Sequence, residues 1–312
     1  MCGSRRGCGK LTLSTFVATT EGQRTSMATN PIVHRRQLGA ELRRLREAAG
    51  LGAKDAAKAL RCDPSRVSRI ELGRGTAVAK ADDVRTLCKL YGVADGGKVD
   101  ALLDMVTSSQ QRGWWQTYEG VLPSGLDTLM SLETTAHTER AWEPLLVHGL
   151  LQTPDYARAV LNSARIHRPS DIDDLVQVRS QRARLMEDRE PLPPLNLWLV
   201  LDEAALIRPL GGPAVMREQL NHLREMADSP QVTIQVYPLR KHAHPSLGGA
   251  FSMLEFDTSG PVVYVDSPAG NLYLEKQNDV RRFAHQFDLL KASACDPDES
   301  TALLERAAEE MR

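Results

Sequence analysis

The chain has 312 residues, of which 42% are hydrophobic and 25% charged, with a formal net charge of −1. That length predicts two domains, each able to bury its own core. No apolar run approaches the roughly 20 residues of a membrane-spanning helix, so the composition excludes an integral helical membrane protein. Residues 1–75 hold 15 Lys and Arg against 6 Asp and Glu, a balance of +9, which leaves −10 for the remainder. Such a division suggests a polyanion-binding end joined to an acidic body. Charge alone leaves open a solvated basic face without a partner.

Residues 1–26 place basic side chains ahead of a short stretch, Leu11–Thr20, that contains four threonines and one serine. This is too polar for an export signal core. The segment is expected to be a disordered leader, with the natural first residue either Met1 or Met27. The five cysteines, Cys2, Cys8, Cys62, Cys88 and Cys295, are odd in number and scattered. They predict neither a disulfide framework nor a zinc site, and they fit a reducing, cytoplasmic setting. Cys62 and Cys88 fall at apolar helical positions and read as core thiols.

Periodic structure begins at Arg35–Ala49, where Leu38, Leu42 and Leu45 recur at helical spacing among arginines. Gly50 stops this helix. Lys54–Leu60 repeats the pattern with Ala56, Ala57 and Leu60 inward. Asp63-Pro64 then restarts the chain, since Asp caps helices and Pro suits the first helical position. In the helix over 64–72, Val67 and Ile70 share one side, Ser65, Ser68 and Arg69 the other, and Arg66 and Glu71 flank the apolar stripe. Helices over Ala81–Tyr91 and Lys98–Ser108 complete a five-helix unit, with Gly92 and Gly96-Gly97 as breaks.

Residues 111–125 form a junction rich in aromatic and turn residues. Trp114, Trp115 and Tyr118 could stack on bases, although aromatics at a junction more commonly pack one domain on the next. Beyond it, helices are predicted near Leu126–Glu143, Pro154–Ala164, Ile172–Arg189, Pro213–Ala227 and Ser300–Met311. Strands are predicted at Leu195–Leu201, around Val232, Ile234 and Val236, and at Phe251–Phe256, Val262–Val265 and Leu272–Leu274, the last three as an antiparallel meander. The expected fold class is multidomain, α then α/β. A helix-turn-helix domain spans 30–110, the junction 111–125, and a larger mixed α/β regulatory or partner-binding domain 126–312.

Two helices that cross at a tight turn need a small residue at close approach, which Ala57 supplies, and apolar anchors after the turn, which Val67 and Ile70 supply. Such a unit lays its second helix in the major groove of double-stranded DNA. Ser65, Ser68 and Arg69 would then face base edges, while Lys54, Arg61, Arg66 and Arg74 would meet phosphates. Arg46 and Glu71 are expected to pair in a salt bridge between the first and third helices, because a carboxylate facing DNA would repel phosphate.

The run LGAKDAAKALRCDPSRVSRIELGRG resembles the signature of Xre/Cro helix-turn-helix regulators, a lambda-repressor-like fold, over about residues 35–92. Ala53 stands where that family often has glutamine, and Arg61 where its turn usually has glycine. The remainder resembles the C-terminal domain of actinobacterial WhiJ-like, antitoxin-like regulators over about residues 126–310. Its marks are Gly149–Arg158 (GLLQTPDYAR), Arg179–Leu185 (RSQRARL), Glu203–Leu206 (EAAL) and Gln235–Pro238 (QVYP). His148 replaces a common proline and Asp266 a usual glutamate. The resemblance implies a regulator, often paired with a small protein encoded nearby, and no established chemistry, ligand or cofactor.

Other motifs are weak. His242-x-His244 could be half of a metal site but lacks a third ligand, so a polar loop is expected and no metal. Gly211-Gly212-Pro213 lacks the lysine and spacing of a phosphate loop and reads as a plain turn. No nucleophile elbow, zinc-protease pattern or dinucleotide fingerprint occurs, so no enzyme is expected. An enzyme would instead need a deep pocket where His242, Asp202 or Glu203 converge. The expected function is a sequence-specific DNA-binding transcriptional regulator, a homodimer on a two-fold operator. The alternative is an antitoxin-like interaction module that neutralises or senses a small partner protein, with DNA binding secondary.

Overall fold

In the computed structural model, residues 31–73, 79–109, 113–187, 189–190, 192–241, 245–246, 248–257, 259–267 and 271–311 are described. The leader, Cys2, Cys8, Arg74, His242 and His244 lie outside them.

The first unit is helical because its apolar residues recur every three or four positions. Helix α1 (Pro31–Ala48) turns Leu38, Leu42 and Leu45 inward. Helix α2 (Ala53–Ala59) buries Ala56 and Ala57, and the Asp55 carboxylate accepts the Gly52 amide at 2.8 Å to close its first turn. Helix α3 (Pro64–Glu71) begins as its sequence dictates, with Asp63 accepting the Ser65 amide at 2.8 Å and Pro64 in the first turn. Helices α4 (Ala81–Leu90) and α5 (Gly96–Ser109) complete the unit. Val67, Ile70, Val84, Leu87, Cys88, Leu102 and Val106 join the α1 leucines in one core, with Cys62 packed against it. One expectation is corrected here. Gly92, at φ +71°, breaks the chain, but Gly96-Gly97 open α5 instead of separating two helices.

After a 3-10 turn at Trp114–Tyr118, the second unit comprises α6 (Leu126–Glu133), β1 (Thr138–Glu143), α7 (Pro154–Ala164), α8 (Ile172–Ala183) and β2 (Asn196–Asp202). These are followed by α9 (Ala204–Ile207), α10 (Pro213–Ala227), β3 (Val232–Tyr237), β4 (Phe251–Glu255), β5 (Val262–Val265), β6 (Leu272–Leu274), α11 (Gln277–Ser293) and α12 (Pro297–Glu310). The six strands form one sheet in the order β3-β2-β1-β4-β5-β6. Strands β1, β2 and β3 are parallel, and β1 pairs antiparallel with β4, which leads into the expected meander.

The sheet is covered on both faces. Leu199, Ile234 and Val236 pack with Leu220 and Leu223 of α10 and Leu304 of α12. On the other face Trp142, Val200, Tyr237, Phe251 and Met253 pack with Val280, Phe287 and Leu290 of α11.

Two corrections concern this unit. The expected helix over Leu126–Glu143 stops at Glu133, and Thr138–Glu143 forms β1, the strand at which the sheet changes from parallel to antiparallel. Its charged residues imitate a helix surface, yet Glu139 is wholly buried. Helix α11 lies where no element is expected, although Val280, Phe283, Phe287 and Leu290 are helically spaced. The junction aromatics serve packing: Trp115 is buried with Met130 and Val178, and Trp114 and Tyr118 lie against the same cluster. Gly211 and Gly212, at φ +78° and +94°, make a turn before α10.

Candidate nucleic-acid interface

Helices α2 and α3 meet across the turn at residues 60–63, which is tied by the Cys62 amide donating to the Ala57 carbonyl at 3.0 Å. Ala57 is buried at the crossing, and Val67 and Ile70 anchor the underside of α3 in the core. The opposite side of α3 carries Ser65, Ser68 and Arg69, all exposed. Lys54 is exposed in the first turn of α2, and Arg61 is exposed in the turn itself. Arg61 has φ +51°, a left-handed conformation that disfavours every residue with a Cβ.

This arrangement leaves short polar side chains and one guanidinium on the open side of a two-turn helix. A guanidinium so placed can pair two-pronged with guanine, and the surrounding cations can approach phosphates. Arg66, expected among the phosphate contacts, has its Nη2 2.7 Å from an Asp83 oxygen and so ties α3 to α4. Arg66 stands between the core side and the open side of α3, so a carboxylate on the neighbouring helix captures it.

Arg46 and Glu71 form a two-pronged pair, Nε to Oε1 at 2.6 Å and Nη2 to Oε2 at 2.8 Å. Arg46 Nη1 also donates to the Leu51 carbonyl at 2.9 Å. The side chains are only 11% and 7% exposed, so the pair clamps α1 to the end of α3 in a low-dielectric setting. Sequence reasoning missed Gly39. A Cβ there would stand 2.4 Å from the Ile70 carbonyl oxygen and 2.7 Å from that of Glu71, so glycine lets α1 touch the α3 backbone. A glycine inside a strongly periodic helix was the available signal.

The second unit explains most of the sequence marks as internal scaffolding. Gln219 accepts the Thr153 amide and donates to the Leu151 carbonyl, both at 2.8 Å. The Thr153 hydroxyl caps α7, and the Tyr156 hydroxyl accepts the Val147 amide at 3.3 Å. Arg182 forms a buried two-pronged pair with Glu133, and the His148 imidazole lies 3.2 Å from Glu139. Burial alone would lower the pKa of His148, but the Glu139 carboxylate raises it. Asp202 accepts the Ala204 amide at 2.8 Å, and Glu203 accepts that of Leu239 at 2.8 Å, so both carboxylates serve loop geometry.

The fold and this face define a helix-turn-helix protein with an appended α/β domain. Residues 37–102 match the family model described as a helix-turn-helix domain. Residues 126–306, more than half of the chain, match the domain of unknown function DUF5753, and the chain belongs to that family. Neither the curated proteins nor the solved structures contain a match.

Proposed function

We propose that the protein is a sequence-specific transcriptional regulator of the Xre/Cro kind, in the WhiJ-like group. It reads double-stranded DNA through α3 as a cytoplasmic homodimer, and its C-terminal domain senses an effector or a small protein encoded nearby. It acts by binding, not by catalysis. The observation that carries this reading is the two-sided character of α3. Val67, Ile70 and Glu71 are fixed inside, whereas Ser65, Ser68 and Arg69 stand exposed on the other side. Two copies are required because one two-turn helix reads too few base pairs for selectivity, and such modules bind half-sites about one DNA turn apart.

Genome-wide mapping of DNA bound by the native protein tests the reading. Recovery of a few sites sharing a two-fold symmetric sequence is expected, and uniform recovery without a shared sequence would refute it. The acid excess of residues 76–312 supports a second reading, in which the C-terminal body neutralises a small basic protein and DNA binding is secondary. Co-purification of a stoichiometric small protein from native cells favours that reading, and its absence favours autonomous DNA binding.

A further inference from the structure

Strand β3 is one edge of the sheet, and the chain closes only part of that edge. Gln231 accepts the Leu197 amide at 2.8 Å and Tyr237 accepts that of Glu203 at 2.9 Å, so the odd-numbered residues here turn their backbone groups to β2. The even-numbered residues turn theirs to the free edge. At Val236 the edge is occupied: the amide donates to the Ser300 hydroxyl and the carbonyl accepts the Cys295 amide, both at 2.9 Å. The Val232 amide turns back onto the Ser229 carbonyl at 3.0 Å. The Val232 carbonyl and the Ile234 amide and carbonyl make no hydrogen bond on this side with any described residue.

Val232 and Ile234 line a groove of 510 Å³ between β3, the end of α10 and the start of α12. Unpaired backbone groups on a strand edge are a template for another strand. One residue of an added parallel strand would bond the Val232 carbonyl and the Ile234 amide, and the residue two further on would bond the Ile234 carbonyl. About three extended residues therefore fit before the closure at Val236. Ala227, Pro230 and Pro297 give the groove an apolar wall. Its ionisable lining residues are Asp228 and Asp298, both exposed and neither in an ion pair with a described residue. A second copy of β3 fits poorly. Two-fold pairing about Ile234 would set Val232 against Val236, whose groups are taken, and would bring acidic grooves together.

We propose that this groove takes an extended basic segment of a partner protein, added as a short strand to the free part of β3. Its backbone bonds Val232 and Ile234, its apolar side chains lie on the proline-lined wall, and alternate lysines or arginines reach Asp228 and Asp298. The backbone bonds supply affinity, and the two carboxylates select for positive charge. The inference deepens the second reading above, in which the C-terminal body takes a small basic protein, and rests on it for the identity of the partner.

Isothermal titration of the full chain with a capped hexapeptide of alternating lysine and valine tests the site. Two control peptides carry glutamate for lysine, or N-methyl groups on every internal amide. The lysine peptide is expected to bind saturably, and each control about tenfold or more weaker. The double variant Asp228→Asn/Asp298→Asn should weaken the lysine peptide to a similar degree, with far-UV circular dichroism unchanged. Amide hydrogen exchange followed by NMR supplies a readout on the unaltered chain. Without peptide the Ile234 amide should exchange at least about tenfold faster than those of Thr233 and Gln235, which face β2, and the lysine peptide should slow it selectively. Absence of saturable binding would overturn the proposal, as would undiminished binding of the N-methylated peptide or an Ile234 amide as protected as its neighbours. A small basic protein that co-purifies equally with the unaltered chain and the double variant would leave the second reading standing and overturn this site. Peptide binding as expected, with no small protein recovered from native cells, would uphold the groove and remove the second reading alone.

Discussion

Breaking the Arg46–Glu71 pair from one side should be among the most damaging single changes to the helix-turn-helix unit. Glu71→Ala leaves a guanidinium almost enclosed by protein, with the Leu51 carbonyl and the half-exposed Glu47 carboxylate 3.7 Å away as its remaining polar partners, and Arg46→Ala strands a carboxylate that is 7% exposed. Removing one member of a buried pair costs about 3–5 kcal/mol, far above the 0–1 kcal/mol of a surface pair. The double variant Arg46→Met/Glu71→Leu removes both charges while keeping much of the volume, and its cost should fall to about 1–2 kcal/mol or less. In a cycle of Arg46→Met, Glu71→Leu and the double variant, the coupling should therefore be about 4 kcal/mol or more, above the usual range for contacting residues. Urea unfolding followed by circular dichroism measures it, analysed for two transitions because two units can unfold separately. Strict additivity of the two single changes would refute the clamp and return both side chains to surface roles.

Three further outcomes follow from particular residues. Arg61→Gly should relieve the left-handed strain at the α2–α3 turn and raise stability by up to about 1 kcal/mol, while weakening DNA binding if Arg61 meets phosphate. Equal stability and equal affinity would dismiss both roles. The Tyr91 hydroxyl is buried without a hydrogen-bond partner among the described residues, and burial pushes it up to about 12. Tyr91→Phe should thus leave stability unchanged or raise it by about 1 kcal/mol, and a loss above about 1 kcal/mol would reveal a bond to that oxygen. His148 has a raised pKa and Glu139 a lowered one. Their pairing is complete between about pH 4.5 and 6.5, is lost in acid as Glu139 protonates, and is lost in alkali as pH rises through the raised His148 value. Glu143 adds its own loss up to about 7. Melting temperature should keep falling above about pH 7.5 in the unaltered chain but level off in His148→Gln, and parallel curves would show that His148 does not titrate there.

The DNA-facing unit was readable because its helices are regular, capped and amphipathic. Asp63-Pro64 announced the start of α3, and the Val67/Ile70 stripe fixed which side faced out. Arg66 was not readable in the same way, since its partner Asp83 lies on another helix and nothing in the local pattern names it. In the second unit the continuous apolar run of β2 and the alternation of Val232, Ile234 and Val236 with polar neighbours in β3 gave these strands away, whereas β1 was hidden by the charges it buries. Glu139 looks like a surface residue until His148, on the segment after β1, is brought to 3.2 Å from it. Helix α11 was obscured by its own polar residues, since only Val280, Phe287 and Leu290 are buried in its 17 residues. Motifs of the Gly149–Arg158 kind stood out as marks, but their hydrogen bonds to Gln219, Val147 and Arg179 depend on tertiary contacts that no spacing rule supplies.

The central claim, that α3 reads DNA sequence through its open side, is tested most directly by selecting bound DNA from a random-sequence library with the full chain and with Arg69→Ala. The unaltered chain should enrich one motif with two-fold symmetry and half-sites about one DNA turn apart. Arg69→Ala should lose preference at one position of each half-site, at a cost of about 1–3 kcal/mol, whereas Lys54→Ala should weaken every sequence about equally. Failure of the unaltered chain to enrich any sequence, or an identical motif from Arg69→Ala, would contradict the assignment of α3 as the reading helix.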